Sequence, residues 1–463
     1  MILKPLDIKD LPESPSLKKI IGPSFIILGL GLGSGEIILW PYLTSKFGMG
    51  VIWGALIGLT FQFFMNMEIE RYALAHGESV FVGFARKLKI LPFWFLLSTF
   101  IPWVWPGIVA SSAKFYGHVF GLTDTKFLAI ILLVVMGLIL TLGPILYKTV
   151  ENLQKILIVI GVPTIFILSI ILARANDWIA LSRGAIGLGE GYFLLPAGIP
   201  IASFLAALAY AGAGGNLNLA QSFYIKEKGY GMGKYAGRIT SLLTGKKEEV
   251  SLTGSKFVCD ERCQNIFKKW WKNINTEHFL IFWVTGSITI LLLGLLSYTT
   301  THGFTQNVTD IDFVFMEAKE IGTRIFPFAG IFFLLVAGST LFGTQLTVFD
   351  ATSRILTENT ILSSNGRLTE KHISKVYYIV LWLQILAGIT IFMLGFTQPL
   401  QLLTLAAVLN AFAMFIHTGL TLWLNLTSLD KPLRPSLFRV SAMVLAFLFY
   451  GGFSLFTIYD KFF

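Results

Sequence analysis

Long apolar runs separated by short polar segments recur along the chain from about residue 22 to about residue 458. A helix needs about 20 mainly apolar residues to cross a bilayer, so each run predicts one transmembrane helix. We place about eleven of them, at residues 22–45, 51–72, 91–119, 127–146, 150–173, 193–224, 277–298, 325–349, 374–395, 399–426 and 436–458. The pattern predicts an all-α polytopic membrane protein with a single transmembrane domain over residues 1–463.

The first ten predicted helices divide into two sets of five. The first set covers residues 22–173 and the second covers 193–426, which includes a long basic loop at 226–276, while the helix at 436–458 is additional. Because each set holds an odd number of helices, the two sets start from opposite sides of the membrane. This arrangement predicts two halves of inverted topology, preceded by an N-terminal cytoplasmic segment at 1–21.

The composition is that of a membrane protein, because 54% of the 463 residues are hydrophobic and only 13% are charged. Lys and Arg accumulate in alternate loops, so the positive-inside rule places the N-terminus in the cytoplasm and the C-terminus outside, with the plasma membrane as the expected location. This bias explains the net charge of +10, and we therefore expect the lipid bilayer, and no nucleic acid, as the large partner. The sequence does not specify an oligomeric state, and a monomer is compatible with it.

The sequence contains no motif typical of a soluble catalytic centre. A P-loop, a G-x-S-x-G elbow and an H-E-x-x-H motif are all absent, so we expect no enzyme activity and no cofactor, and any transport must be passive or driven by a gradient. Cys259 and Cys263 lie in the basic loop without two further ligands nearby. Two unpaired cytoplasmic thiols are therefore favoured over a zinc site.

Two predicted helices carry the features of an interrupted helix. These features are Gly33, Ser34, Gly35 and Glu36 in the first helix, and Gly212, Ala213, Gly214 and Gly215 followed by Asn216, Asn218 and Gln221 in the sixth. Glycine runs weaken a helix, and backbone groups that are freed at membrane depth must find other partners. Interrupted helices at matching places in two inverted halves are the best sequence indication of the central binding site of a secondary transporter.

Close helix packing is a simpler explanation for the glycines of the first helix. Gly29 and Gly33, like Gly31 and Gly35, are four residues apart, which is the spacing that lets two membrane helices approach closely. Packing does not explain a carboxylate directly after the glycines. We expect Glu36 to be the only carboxylate well inside the membrane, and an ionisable residue at that depth predicts a functional site.

The sequence of the first helix, GPSFIILGLGLGSGEIILWPYLTSKFG, resembles the first helix of the Nramp divalent-metal transporters, whose pattern contains Gly-Pro-Gly and later Asp-Pro-Gly-Asn. The segment QFFMNMEIERYALAHGES is similar to the second helix of that family, and GAGGNLNLAQS falls where the family has Met-Pro-His-Asn-Leu-x-Leu-His-Ser. The resemblance covers about residues 22–85 and 205–225. It implies a LeuT-like fold, which is a 5+5 inverted repeat with broken helices 1 and 6, and alternation between outward-open and inward-open states.

Several metal-binding positions of the Nramp family carry other residues in this chain. In an ungapped alignment the metal-binding Asp of the family falls on Gly33, the Asn on Glu36 and the Met on Ala213, while the helix-six Asn is retained as Asn216. The third helix of the family supplies acids for proton movement, whereas residues 90–121 contain no Asp or Glu here. The resemblance therefore implies a divergent member with a rebuilt site.

The residues near the two interruptions offer oxygen ligands. We expect Glu36, Asn216 and Asn218 to bind a metal, with Ser34 and Gln221 nearby. Oxygen ligands favour hard cations, so the expected cargo is an inorganic divalent cation such as magnesium or manganese. The alternative keeps the fold and changes the cargo to an amino acid or another small organic solute, whose ammonium group Glu36 would hold.

Three further residues are candidates for coupling or gating. Lys114 lies in the third predicted helix and is the available basic partner for Glu36. Glu68 and Arg71 are three residues apart on one helix face, which predicts an ion pair at the end of the second helix, with a role in the inner gate as the alternative.

Overall fold

Helices make up most of the computed structural model, which describes residues 3–17, 20, 22–143, 146–237, 239, 251–304, 308 and 310–462. The α-helices are α1 (Pro23–Gly31), α2 (Trp40–Phe47), α3 (Trp53–His76), α4 (Val80–Lys87), α5 (Leu91–Trp103), α6 (Gly107–Phe120), α7 (Lys126–Leu142), α8 (Leu146–Leu172), α9 (Ala175–Gly184), α10 (Ile201–Ala209), α11 (Gln221–Lys228), α12 (Glu261–His278), α13 (Thr285–Thr301), α14 (Asp312–Arg324), α15 (Pro327–Ser363), α16 (Ile373–Met393), α17 (Pro399–Ser428) and α18 (Leu437–Phe462). Two π turns (Gly35–Leu39 and Phe279–Val284) and five 3-10 turns (Met49–Val51, Gly215–Ala220, Gly231–Tyr235, Glu370–His372 and Lys431–Leu433) join or flank them. Parts of the predicted N-terminal segment and of the predicted loop 226–276, including residues 240–250, lie outside the described residues.

Nine helical segments of the described chain are long and apolar enough to cross a membrane. They are Pro23–Phe47, Met49–His76, Leu91–Phe120, Leu146–Leu172, Glu261–Thr301, Pro327–Ser363, Glu370–Met393, Pro399–Ser428 and Leu437–Tyr459. The shorter apolar helix α7 and the pair α10 and α11, which an interruption separates, occupy the other two predicted spans. The helical membrane architecture is confirmed, while the total of about eleven transmembrane helices stays a prediction.

Helix α15 extends much further than the predicted span at 325–349. It has 37 residues, or about 56 Å at 1.5 Å per residue, which exceeds the roughly 30 Å hydrocarbon core. Its second half carries Asp350 and Arg354, which are buried, and the Arg354 guanidinium lies 2.8 Å from Asp350 and also contacts Glu227 of α11. Charges that end an apolar run in the sequence are thus paired inside the protein, and the helix continues through them.

The predicted sixth helix also begins later than expected, at Ile201 rather than at residue 193. Gly191 and Gly198 have positive φ angles of 81° and 80°, and Pro196 and Pro200 lack the N–H that a helix needs. The segment before Ile201 is therefore irregular. The short helices α4, α9 and α14 lie outside the predicted spans, because they are too short or too polar to stand out as apolar runs.

The N-terminal segment lies against the chain that follows α11. Strand β1 (Asp7–Ile8) pairs in parallel with strand β2 (Ser255–Lys256), with Asp7 opposite Ser255. The indole of Trp270 in α12 donates a hydrogen bond to the Pro12 carbonyl at 2.7 Å. These contacts place the N-terminal segment and the basic loop at the same end of the helix bundle.

Helix α15 is central to the packing of the bundle. It packs against α1, α5, α6, α8 and α16, while α10 packs against α17 and α13 packs against α2. The main hydrophobic core runs through all of these helices. This packing holds the irregular segment after α1 close to the irregular segment after α10.

Candidate functional site

The first interruption lies between α1 and α2, and we call α1, the π turn Gly35–Leu39 and α2 the first broken helix. Helix α1 ends at Gly31, and Leu32 and Gly33 form a turn before the helix resumes. The Gly33 N–H donates a hydrogen bond at 3.2 Å to Oε2 of Glu36, which lies in the first turn of the resumed segment. A carboxylate at this place is favourable because a helix N-terminus carries a partial positive charge and unpaired N–H groups.

The carbonyls at this interruption find a partner in another helix. The Thr344 hydroxyl of α15 lies 3.0 Å from the Gly29 oxygen and 3.2 Å from the Leu32 oxygen, and it donates its hydrogen to them. Backbone groups freed inside a membrane must be satisfied internally, and Thr344 does so here. These two carbonyls are therefore already engaged and are poorly available as ligands.

The four glycines of the first broken helix lie where other parts of the chain approach the backbone closely. A Cβ atom added to any of them would come within 3.2 Å of another group, which is Gln154 for Gly29, Gly212 for Gly31, Thr344 for Gly33 and the Tyr210 carbonyl for Gly35. Close packing, the simpler of the two explanations given above, therefore accounts for these glycines. It does not account for Glu36.

The second interruption follows α10, and we call α10, the 3-10 turn Gly215–Ala220 and α11 the second broken helix. Gly214 and Gly215 have φ angles of 75° and 54°, which only glycine adopts readily. The side chain of Gln62 in α3 bridges this interruption, since it accepts a hydrogen bond from the Gly214 N–H and donates one to the Ala209 carbonyl, both at 3.1 Å. His417 of α17 lies 3.0 Å from the Gly215 oxygen, so two neighbouring helices stabilise the open backbone.

Glu36 lines a small cavity of about 20 Å³, room for about one water molecule, between the first broken helix, α8, α13 and α15. The neutral polar residues of its wall are Gln154, Thr289 and Thr340. Apolar side chains form most of the remainder, namely Leu32, Ile37, Leu157, Ile158, Val162, Ile165 and Leu293. Among the described residues that line this cavity, Glu36 is the one that can carry a charge.

The predicted partners of Glu36 do not line that cavity. The Asn216 amide donates hydrogen bonds to Ser98 at 2.8 Å and to Thr99 at 2.9 Å, both in α5. Asn218 is buried and has no hydrogen-bond partner among the residues described. The physical reason is that the turn Gly215–Ala220 packs mainly against α3, α5, α15 and α17, whereas Glu36 lies in a turn that packs against α10 and α13.

The remaining predicted site residues also have definite positions. Ser34 and Ala213 are buried in the first and second interruptions, and Gln221 donates a hydrogen bond of 2.6 Å to Glu70 of α3. Asn216 and Asn218 thus do not line the Glu36 cavity, and the ligand set of Glu36, Asn216 and Asn218 stays a prediction.

Other carboxylates besides Glu36 lie inside the bundle. Glu70, Glu151, Glu277 and Asp350 are buried within helical segments that are long and apolar enough to span a membrane, and the expectation that Glu36 alone lies well inside the membrane stays a prediction. Glu70 is hidden in the sequence because the predicted helix ends at residue 72, whereas α3 continues to His76. Gly77, which has a φ angle of 63° and ends α3, is the sequence signal that indicates the longer helix.

The structure corrects the predicted role of Lys114. Its ammonium group lies 2.5 Å from the carboxylate of Asp310, just before α14, and its side chain is 29% exposed. Lys114 therefore pairs with a loop acid at one end of the bundle and not with Glu36.

The ion pair predicted for the second helix is present. Arg71 Nε lies 2.8 Å from Glu68 Oε2, and the Arg71 guanidinium stacks 3.8 Å from the centre of the Trp271 ring. Glu68 also accepts hydrogen bonds from Asn425 of α17 at 3.0 Å and Arg439 of α18 at 3.4 Å. The pair thus ties α3 to three other helices, which is a structural role in this conformation.

No protein-family model matches this sequence, and no curated protein matches it either. Among solved structures, a mutant of the Eremococcus coleocola manganese transporter has a TM-score of 0.67 at 14% identity, over 98% of this chain and 90% of that chain. The structure of MhsT in complex with L-phenylalanine has a TM-score of 0.51 at 14% identity, over 95% of this chain and 98% of that chain. The chain therefore has the LeuT fold with two broken helices, and these identities establish the fold alone.

Proposed function

We propose that this protein is a secondary transporter that works by alternating access around its two broken helices, and that its cargo is a cation recognised by Glu36. One observation carries the proposal. The Glu36 carboxylate is 1% exposed, lies at the interruption of a membrane helix and lines a small cavity between the first broken helix, α8, α13 and α15. An ionisable group at such a place costs free energy, and its presence there therefore indicates a functional site.

The two structural neighbours support the transporter class but differ in cargo. One is a manganese transporter, and the other holds L-phenylalanine. Both cargo classes of the sequence analysis are therefore represented on this fold. The choice between them rests on the chemistry around Glu36.

Charge balance in the cavity favours a small organic cation. The wall supplies one carboxylate among mostly apolar side chains, so a single ammonium group is neutralised by Glu36. A divalent ion would keep one uncompensated charge in apolar surroundings, which costs several kcal/mol or more unless the ion keeps part of its water. Because the cavity has room for about one water molecule here, an organic cation requires it to widen in another conformation.

A hydrated divalent cation, magnesium or manganese, is the second candidate. It is supported by the greater similarity of the fold to the manganese transporter, with a TM-score of 0.67 against 0.51. It requires Asn216 or Asn218 to reach the Glu36 cavity in another conformation.

Uptake into proteoliposomes tests the proposal. The probes are Mg²⁺, Mn²⁺ and Ca²⁺ with a divalent-sensitive dye, and radiolabelled L-alanine, L-lysine and tetramethylammonium. We expect uptake of an organic probe that is lost in Glu36→Gln and partly kept in Glu36→Asp, which retains the charge. Glu358→Gln is the matched control, because Glu358 is also buried but lies in a different cavity beside Ser79.

Each result has a defined meaning. Metal uptake that depends on Glu36 would support the second candidate. Uptake of any probe that is unchanged in Glu36→Gln would remove Glu36 from the site, and silence for every probe would contradict the transporter proposal.

A further inference from the structure

A chain of buried titratable groups runs through the bundle on one side of the two interruptions. Glu70 of α3 accepts a hydrogen bond from Gln221, and its Oε1 lies 3.3 Å from Nδ1 of His278 at the end of α12. The same His278 nitrogen lies 2.8 Å from the Ser24 hydroxyl of α1. The Ser24 hydroxyl in turn donates a hydrogen bond to Oε2 of Glu277, so the four side chains Glu70, His278, Ser24 and Glu277 form one continuous chain.

The two carboxylates of this hydrogen-bond chain, Glu70 and Glu277, have no Lys or Arg partner among the residues described. The nearest cations are engaged elsewhere, since Arg439 binds Glu68 and Lys228 binds Glu151. The charged and titratable groups that face the chain are Arg439 of α18, Lys228 of α11, Glu151 and Tyr147 of α8, and Tyr230. Two buried carboxylates without a counter-ion are most stable when they hold a proton between them and their neighbours.

The Glu70 end of this hydrogen-bond chain lies on the side of the second interruption. Helix α3 and the second broken helix run in the same direction, with Gly58 beside Leu208 and Glu70 beside Gln221. Asn66 lies one turn before Glu70, and Asn218 lies three residues before Gln221, so both are closer to the interruption. Their buried side-chain amides have no hydrogen-bond partner among the described residues.

The Glu277 end of the hydrogen-bond chain lies at the N-terminus of α1. The Gly22 N–H donates a hydrogen bond of 3.2 Å to Oε1 of Glu277. Gly22 packs against the Lys228–Glu151 pair, and the Lys228 side chain is 25% exposed. This end therefore lies next to a group in contact with solvent.

We propose that Glu70, His278, Ser24 and Glu277 form the proton relay that couples transport to a proton gradient, an inference that rests on the proposed transporter function. The relay is independent of the third helix, which lacks Asp and Glu between residues 90 and 121. It supplies the coupling chemistry from α1, α3 and α12 instead.

The transfer balances without any other reactant. The O–H bond of protonated Glu70 breaks as an N–H bond forms at Nδ1 of His278. That proton then passes to the Ser24 oxygen while the Ser24 proton passes to Oε2 of Glu277. Glu70 ends ionised, Glu277 ends protonated, and His278 and Ser24 return to their starting states.

The position of α1 determines whether the relay is closed. Ser24 and Gly22 belong to the entrance of the first broken helix, whereas Glu277 and His278 lie at the end of α12, and His278 stacks on Phe282 with ring centres 4.8 Å apart. A movement of α1 away from α12 during alternation would remove the hydroxyl link. The relay therefore conducts only in conformations like this one, which is the property that coupling requires.

Infrared difference spectroscopy of the purified protein tests the relay without any cargo. We expect a protonated-carboxyl band that shifts in D₂O and that is lost or altered in both Glu70→Gln and Glu277→Gln. Glu358→Gln should leave this band unchanged. A spectrum that neither relay variant alters would overturn the proposal.

Transport by Ser24 variants provides the second test, with L-alanine or whichever probe the wild-type liposomes take up. Ser24→Ala should reduce uptake driven by a pH gradient at least about tenfold, and exchange without a gradient should stay within about twofold, because the hydroxyl serves proton transfer only. Ser24→Thr, which keeps the hydroxyl, should restore gradient-driven uptake. Wild-type uptake that ignores the gradient would refute the relay and leave the transporter intact, whereas silent probes with the expected infrared bands would refute the transporter alone.

Discussion

Replacing Gln62 with leucine should destabilise the protein, because this one side chain bridges the second interruption. Its amide donates to the Ala209 carbonyl and accepts from the Gly214 N–H, each at 3.1 Å, and the residue is fully buried. Leucine has a similar volume but offers no polar atom. The Gln62→Leu variant therefore leaves two backbone groups without partners at membrane depth and creates little empty space.

The expected cost follows from the two lost hydrogen bonds. Side-chain hydrogen bonds in membrane proteins contribute about 0.6 kcal/mol on average and about 1.7 kcal/mol at most, so two of them give roughly 1–3 kcal/mol. A cost in the middle of this range raises the unfolding equilibrium constant more than about tenfold. Thr164→Val is the matched control, since the Thr164 hydroxyl donates only to the Ile160 carbonyl of its own helix.

Unfolding in mixed micelles with increasing SDS, followed by circular dichroism, measures this free energy. Gln62→Leu should unfold at a clearly lower SDS fraction than the wild type, and Thr164→Val should stay within about 0.5 kcal/mol of it. Equal stability of Gln62→Leu and the wild type would refute the claim that Gln62 stabilises the open backbone.

Three further predictions concern Glu317, Lys114 and Cys259. Burial raises the pKa of Glu317 in α14 from its ordinary 4.5 to about 8, against a hydrogen bond from Ser297. The contribution of Glu317 to stability should therefore be fully present below pH 4.5 and fall by at most roughly 5 kcal/mol as the pH rises through about 8, and thermal unfolding of Glu317→Gln should lack this component of the pH dependence. Lys114→Met should cost less than about 1 kcal/mol and leave Glu36-dependent uptake intact, since the pair with Asp310 is partly exposed; a loss of uptake would reinstate Lys114 as a coupling residue. Burial raises the pKa of the Cys259 thiol, so a membrane-impermeant maleimide should label Cys259 slowly at neutral pH, and only in inside-out vesicles; labelling of intact cells would reverse the proposed orientation.

The apolar runs predict the fold well because helix length in a membrane is set by the bilayer. Where protein rather than lipid surrounds a helix, this rule fails. Arg354 reads as the end of an apolar run, yet it is 1% exposed between two carboxylates, and α15 continues to Ser363. A sequence does not indicate which charges are neutralised by distant partners.

The candidate site is likewise predicted in part from the sequence. The pattern around Glu36 predicts the interruption, which depends on local residues. It does not predict that Thr344 occupies the released carbonyls, that Gln62 bridges the second interruption, or that Gln221 turns to Glu70. Those contacts depend on how helices far apart in sequence rotate against each other, and an ungapped family alignment carries no information on residues that the family lacks.

The most direct test of the account is whether the Glu36 cavity opens to both sides of the membrane. A cysteine at position 289, introduced as Thr289→Cys together with Cys259→Ser and Cys263→Ser, would lie in the cavity wall beside Glu36. We expect impermeant thiol reagents to label it both in right-side-out and in inside-out vesicles, with a ratio that shifts when cargo is added. Labelling from one side alone under all conditions would contradict alternating access around the two broken helices.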